Sequence, residues 1–152
     1  MTGEDGHVIL SSTCFQLGVT GSHITQSFSR RIERIGLSHK QVGLLAVVDA
    51  GVATSQREIA TRLHVAPSLV VTLVDRLTST GAVRRTRSRN DRRVQTIEIT
   101  DEGRRLLKAA TDIASRLDTD LRTLLSPDDQ QALDRLLPLL LHAAMATGQD
   151  EA

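Results

Sequence analysis

The sequence predicts a mainly α protein with a minor β component: a winged helix-turn-helix with long N- and C-terminal helices forming a dimerisation region. Three observations carry that prediction. Residues 55–80 read as two short helices joined by a three-residue turn. From Gly81 to Gly103, two β-prone segments flank an arginine-rich turn. Both ends of the chain carry leucine and isoleucine at helical spacing, more apolar surface than a winged helix of about 60 residues can cover.

Taken in order, residues 7–35 place Leu10, Cys14, Leu17, Gly21, Ile24, Phe28, Ile32 and Ile35 at steps of three and four. Those steps mark one face of a single long helix. Gly18 and Gly21 weaken its first half, and Gly36 ends it. Ser38 and Gln41 form a capping box for a second helix through Val42, Leu44, Leu45, Val47 and Val48, closed by Gly51. Ser55 and Glu58 form another, opening a short helix that buries Ile59, Ala60 and Leu63. His64-Val65-Ala66 makes a tight turn. Pro67 then occupies a first helical position, where its missing N–H costs nothing. The helix it opens buries Val70, Leu73, Val74 and Leu77, and Gly81 stops it. Two helices with such a turn describe a helix-turn-helix.

The hairpin follows directly. Ala82–Thr86 and Val94–Ile99 are the strands, and Ser88-Arg89-Asn90-Asp91 is a turn-forming tip. Arg84, Arg85, Arg87, Arg89, Arg92 and Arg93 fall within ten residues, relieved only by Asp91. Of 19 basic and 18 acidic residues in the chain, six and one lie in 84–93, so that segment carries +5 and the remainder −4. A nearly balanced protein with one concentrated basic loop aims that loop at something anionic. Arginine forks suit phosphate oxygens.

Thr100 caps a long helix, with Asp101 and Glu102 at its positive end. Its stripe is Leu106, Leu107, Ala110, Ile113, Ala114, Leu117, Leu121, Leu124 and Leu125. Ser126-Pro127-Asp128-Asp129 starts a last helix with Leu133, Leu136, Leu137, Leu140 and Leu141, which Pro138 should kink. The tail from Gly148 is expected to be disordered. A second copy of the chain is the simplest cover for these stripes. The expected division is therefore a helical dimerisation region, residues 7–35 and 104–146, around a DNA-binding winged helix-turn-helix, residues 38–103.

Composition narrows the function classes. With 39% hydrophobic and 24% charged residues the chain reads as an ordinary soluble protein. No apolar run approaches the roughly 20 residues of a membrane span, and the N-terminus lacks the features of a signal peptide. One cysteine excludes an internal disulfide and suits a reducing cytoplasm. Without Trp or Tyr the chain offers no stacking platform for single strands. There is no glycine-rich phosphate loop, no Ser/His/Asp ordering with strand-to-turn context and no paired carboxylates with a recognisable catalytic frame, Asp128-Asp129 being explained by helix capping, so an enzyme is not expected. The five histidines (His7, His23, His39, His64 and His142) are scattered without metal-ligand spacing, and no metal or cofactor is expected.

The run Asp91-Arg92-Arg93-Val94-Gln95-Thr96-Ile97-Glu98-Ile99-Thr100-Asp101-Glu102-Gly103 resembles the wing signature of the MarR family of bacterial transcription regulators. In that signature an Asp, an Arg two later, two apolar strand positions and Thr-x-x-Gly follow in order. Leu77-Thr78-Ser79-Thr80-Gly81-Ala82-Val83 is similar to the family's end of the recognition helix. The resemblance implies a homodimer on a near-palindromic operator in double-stranded DNA, often repressing a neighbouring gene and released by a small-molecule effector or an oxidant. Candidate DNA-binding residues are Ser55, Pro67, Ser68, Leu69, Val71, Thr72 and Arg76 on the helices, and Arg84, Arg87, Arg89, Asn90, Asp91, Arg92 and Arg93 on the wing.

Ser68 and Thr72 can hydrogen-bond bases or phosphates, and Leu69 or Val71 can pack on thymine methyls. No Arg or Gln in the first two turns offers a bidentate base contact, unlike the usual family helix. Specificity then leans on wing arginines in the minor groove and on DNA shape, favouring an A·T-rich operator. His23, Gln26 and Arg30 lie near the place where the family's ligand pocket falls. Cys14-Phe15-Gln16-Leu17 resembles the first-helix Cys-Phe-x-Leu of the peroxide-sensing branch. That branch holds its thiolate with tyrosine hydroxyls, and this chain has none, so Cys14 reads as an ordinary interface thiol. The alternatives are an oxidation-sensing regulator acting through Cys14 and a non-specific architectural DNA-binding protein.

Overall fold

The computed structural model describes residues 4–87 and 95–147. Its elements are α1 (Glu4–Ser11), α2 (Thr13–Ile32), a 3₁₀ turn (Glu33–Ile35), α3 (His39–Asp49), α4 (Gln56–Leu63), α5 (Pro67–Ser79), β1 (Val83–Arg87), β2 (Gln95–Ile99), α6 (Asp101–Arg122) and α7 (Pro127–Thr147). They fall into two compact units, Met1–Ala114 and Ser115–Ala152. The fold is the expected winged helix with long helices before and after it. Among the described residues no helix is long and apolar enough to cross a membrane.

The helix predicted over 7–35 is two helices. Ser12 separates them: its hydroxyl donates to the Ile9 carbonyl at 2.7 Å and accepts from the Phe15 N–H at 3.3 Å as the N-cap of α2. Ser11 bonds the carbonyls of His7 and Val8 in the same way. Adjacent serines thus draw the backbone's hydrogen bonds to themselves and interrupt the ladder. Gly18 and Gly21, the expected weak points, lie within an unbroken α2. Further along, Gly36 takes φ +77° and closes the segment as expected.

Both predicted capping boxes form. Ser38 and Gln41 exchange hydrogen bonds at the start of α3, and Ser55 and Glu58 do so at the start of α4. The core of the first unit then assembles from the apolar faces of α3, α4 and α5. Leu44, Leu45, Ile59, Val70, Val74 and Leu77 are fully buried, together with Ile32 from α2. In α5 the four buried residues are Val70, Leu73, Val74 and Leu77, the set its spacing predicts.

β1 and β2 pair antiparallel, with Val83 opposite Ile99, Arg85 opposite Ile97 and Arg87 opposite Gln95. Side chains alternate faces along a strand. Val83, Ile97 and Ile99 therefore point one way, into the core. The Ile97 N–H also donates to the Thr54 carbonyl at 2.8 Å, tying the sheet to the segment before α4. β1 starts and ends one residue later than predicted, at Val83 and Arg87, and Val94, the predicted start of the second strand, lies outside the described residues.

Four segments meet at the base of the hairpin. Gly81, at φ +74°, ends α5, and the Ala82 N–H returns to the Leu77 carbonyl at 2.8 Å. The Thr100 N–H donates to the Ala82 carbonyl at 3.1 Å. The Thr100 hydroxyl donates to the Gly81 carbonyl at 2.6 Å, with the Ala82 carbonyl 3.0 Å away. It also accepts from the Gly103 N–H at 3.1 Å, capping α6. Gly103 is held against this joint so tightly that a Cβ there would lie 2.1 Å from the Ala82 oxygen and 2.6 Å from Ile99 Cγ1.

In the second unit, α6 ends at Arg122, so Leu124 and Leu125 of the predicted stripe lie in the connection. Ser126 accepts from the Asp129 N–H as the cap of α7, and Gln130 Nε2 donates to the Arg122 and Leu125 carbonyls. The Arg122 guanidinium binds both oxygens of Asp134 and one of Asp118. The Asp134 hydrogen bonds chiefly, and Asp118 after them, hold Arg122 above the ordinary arginine range. α7 runs on through Pro138 to Thr147, and the tail from Gly148 lies outside the described residues.

The Gly103 joint makes a direct test. Gly103→Ala puts a methyl group onto backbone that cannot move without shifting the wing, so it should destabilise the protein by about 3 kcal/mol. Thr100→Ala, which removes the cap and the hydroxyl's bond to the Gly81 carbonyl but keeps the N–H bond to Ala82, should cost about 2 kcal/mol. Denaturant unfolding followed by circular dichroism measures both. An unchanged midpoint for Gly103→Ala would show that the joint is looser than described.

Candidate nucleic-acid interface

α5 is held by its buried face, and the opposite face points outward as a consequence. His64, in a left-handed conformation at φ +51°, ends α4, and the Val65 N–H returns to the Ala60 carbonyl at 3.1 Å. Pro67 then starts α5. The exposed positions that follow are Ser68, Val71, Thr72, Asp75 and Arg76. Thr72 donates to the Ser68 carbonyl at 3.3 Å, which leaves its oxygen able to accept from a ligand. Val71 is 40% exposed. Leu69 is half-buried against the core, so Val71 is the more available of the two apolar candidates.

Ser55 sits at the other helix start, and its hydroxyl is used internally, accepting from the Glu58 N–H at 3.3 Å. The Glu58 carboxylate takes the Ser55 and Thr54 N–H groups at 3.0 and 3.1 Å. These backbone bonds, Ser55 first, hold the Glu58 carboxyl below its ordinary range.

The sheet's alternation sorts the wing arginines. Arg84, Thr86, Thr96 and Glu98 share the face away from the core. Arg84 Nε and Nη2 both bond one Glu98 oxygen, at 3.0 and 2.8 Å. Thr86 donates to the other at 3.1 Å and pairs with the Thr96 hydroxyl at 2.9 Å. Arg84 is thus engaged across the ladder rather than presented with α5. Arg85 and Arg87 share the core-side face. Arg87 is exposed, and Arg85 Nη2 bonds Asp75 Oδ1 of α5 at 2.5 Å. The sequence-derived set omits Arg85. Alternation counted outward from apolar Val83 would have placed it on the helix side. Arg89, Asn90, Asp91, Arg92 and Arg93 lie outside the described residues.

The candidate effector residues Cys14, His23, Gln26 and Arg30 are all exposed on α2. Two cavities in the first unit lie elsewhere. One of about 490 Å³ lies under Arg84 and Glu98, bounded by Asp49, Asp101 and Arg104. The other, of about 560 Å³, borders Arg57, Thr61, His64 and Pro67 at the turn between α4 and α5. Among the described residues no group of His, Cys, Asp and Glu side chains is placed to hold a metal ion.

Residues 35–94 match the model of the MarR family. Over 72 residues the chain is 36% identical to the HTH-type transcriptional repressor MdtR of Bacillus subtilis (strain 168), covering 47% of this chain and 46% of that protein. The chain therefore matches less than half the length of that relative. Solved structures match nearly throughout. The transcriptional repressor CouR bound to a 23-mer DNA duplex superposes with a TM-score of 0.77 at 28% identity, over 88% of this chain and 95% of that one. CouR from Rhodococcus jostii RHA1 bound to p-coumaroyl-CoA gives 0.73 at 25% identity, over 85% and 91%.

The capping box that fixes the start of α4 carries a pH signature. A carboxyl held below its ordinary range stabilises the fold at neutral pH, and that contribution disappears as pH falls through its lowered value. Glu58→Gln should therefore unfold at lower temperature than the parent at pH 7, with the gap closing in acid. Thermal melts across pH 2–7 check it, and a gap independent of pH would remove the carboxylate from the account.

Proposed function

We propose that the chain is a MarR-family protein, on the match of residues 35–94 to that family's model and the likeness to the repressors MdtR and CouR, and that it is a dimeric, sequence-specific DNA-binding transcription regulator, a repressor released by a small-molecule effector. One observation carries the proposal. The α5 face bearing Ser68, Val71, Thr72 and Arg76 is exposed while its other face anchors the core. A basic wing adjoins it, linked to it by the Asp75–Arg85 pair. A helix so held enters the major groove, and the wing follows the adjacent backbone or minor groove. Ser68 and Thr72 read base edges, and Val71 meets thymine methyls. Arg76, Arg87 and the tip arginines grip phosphates or enter the minor groove, where a narrow A·T-rich sequence favours them.

Apolar exposure supports the dimer. In the first unit Val8, Ile9, Leu10, Leu17, Val19 and Ile24 are exposed on α1 and α2. In the second, Leu124, Leu136, Leu137, Leu139, Leu140 and Leu141 are exposed. Surface of this extent on a soluble chain marks an interaction site, and a second copy covers it with two-fold symmetry. Two copies on one duplex explain a near-palindromic operator. The small-molecule effector is supported by the CouR structure that holds p-coumaroyl-CoA. Cys14 is exposed on α2 and belongs to the dimer surface rather than to a redox switch.

Selection of duplexes from a randomised pool tests the central reading. Enrichment of an inverted repeat is the expected result. Broad, salt-sensitive binding without enrichment would identify a non-specific architectural protein instead. On the enriched duplex, Ser68→Ala and Thr72→Ala should narrow the preference over random DNA and leave the salt dependence unchanged. Arg87→Ala should weaken both DNAs and lower the log–log salt slope by about 0.9. Sedimentation at micromolar concentration should give a dimer, and a persistent monomer that still binds tightly would refute the interface. Cys14→Ser should bind DNA like the parent with or without peroxide; peroxide-driven release that vanishes in the variant would establish the thiol switch.

A further inference from the structure

Asp75 is the one acidic residue in α5, and it lies on the exposed face that the proposed function turns toward a polyanion. A carboxylate there repels phosphates unless it serves another purpose. Its partner is Arg85 of β1, with Nη2 at 2.5 Å from Oδ1. Arg85 sits opposite Ile97, the residue whose N–H bonds the Thr54 carbonyl and whose side chain is fully buried. Below this level the hairpin is fastened by the core and by Thr100. The next pair on the same face, Arg87 and Gln95, is exposed on both strands. A two-stranded ribbon has little stiffness of its own. Among the described residues of the hairpin, the Arg85 level is the outermost tied to α5, and a tie at that level bears on where the arginine tip lands on DNA.

We infer that the Asp75–Arg85 pair is a strut between α5 and the wing, and that Asp75 is a positioning residue that sets operator selectivity by fixing the wing's angle to the recognition helix. The inference rests on the proposed DNA-binding function. It assigns Arg85 a role unlike that of its neighbours: paired with Asp75, it does not grip phosphate. Releasing it would let Arg85 turn to the DNA backbone, adding affinity that carries no sequence information.

The experiment compares the duplex enriched by selection with a scrambled duplex of equal length, across a salt series. Asp75→Asn should bind scrambled DNA more tightly, with a salt slope steeper by about 0.9 from the new phosphate contact, while the ratio of enriched to scrambled affinity falls several-fold. Arg85→Gln should lower the ratio to the same extent with the slope unchanged. The double variant should lose no more selectivity than either single one, because both break the same strut. Asp75→Glu keeps the pair and should keep the ratio. An exposed ion pair contributes little to stability, so all four variants should melt near the parent temperature.

A slope that drops by about 0.9 in Arg85→Gln would make Arg85 a phosphate contact and overturn the strut. Selectivity retained in Asp75→Asn would overturn it as well. A parent protein that enriches no sequence would sink the underlying function, and a parent that does so while the variants keep its selectivity would sink only this inference.

Discussion

The carbonyl of Ala82 is the point on which the helix-turn-helix and the wing depend. The end of α5 turns at Gly81, β1 begins one residue later, and the wing's return strand delivers Thr100 to the same oxygen. α6 starts there too, its Gly103 packed where no side chain fits. Recognition helix, wing and long helix are therefore set relative to one another by a few hydrogen bonds and one missing Cβ. Such an arrangement cannot adjust one part without the others.

The charges follow from the same geometry. Six arginines in ten residues read as a uniform basic loop, yet the ladder divides the described ones into different jobs. Arg84 closes onto Glu98 on the outer face, within a network that includes Thr86 and Thr96. Arg85 reaches α5, and Arg87 is left exposed. The first two turns of α5 offer hydroxyls and one exposed valine instead of forked donors. Hydroxyls accept and donate without the directional stringency of a bidentate pair. In the proposed function, selectivity then leans more than usual on where the wing falls.

Much of this was legible in the sequence, and the reasons are physical. Capping boxes, the turn at His64-Val65-Ala66, Pro67 at a helix start and the glycines at 36, 51 and 81 are local signals. Each depends on residues within a few positions, and each forms as read. The buried set of α5 follows from the helical period alone. The break at Ser12 escaped because glycine was given the disruptive role, when two serines bonding the preceding carbonyls supplied it. The strut at Asp75 and Arg85 escaped for a different reason. It joins two residues ten apart on different elements, and its existence depends on which face of β1 meets the core. The leucines of α7 are legible as apolar surface, and their exposure supports the expectation of a second copy without fixing its geometry.

In the proposed function, two copies of one helix-and-wing unit read one duplex. Hydroxyl-radical footprinting on the duplex enriched by selection measures this most directly. Two mirror-related protected stretches on one side of the helix, their centres separated by about one turn or a whole multiple of it, are the predicted result. A single protected stretch, or uniform protection without a symmetry axis, would contradict it.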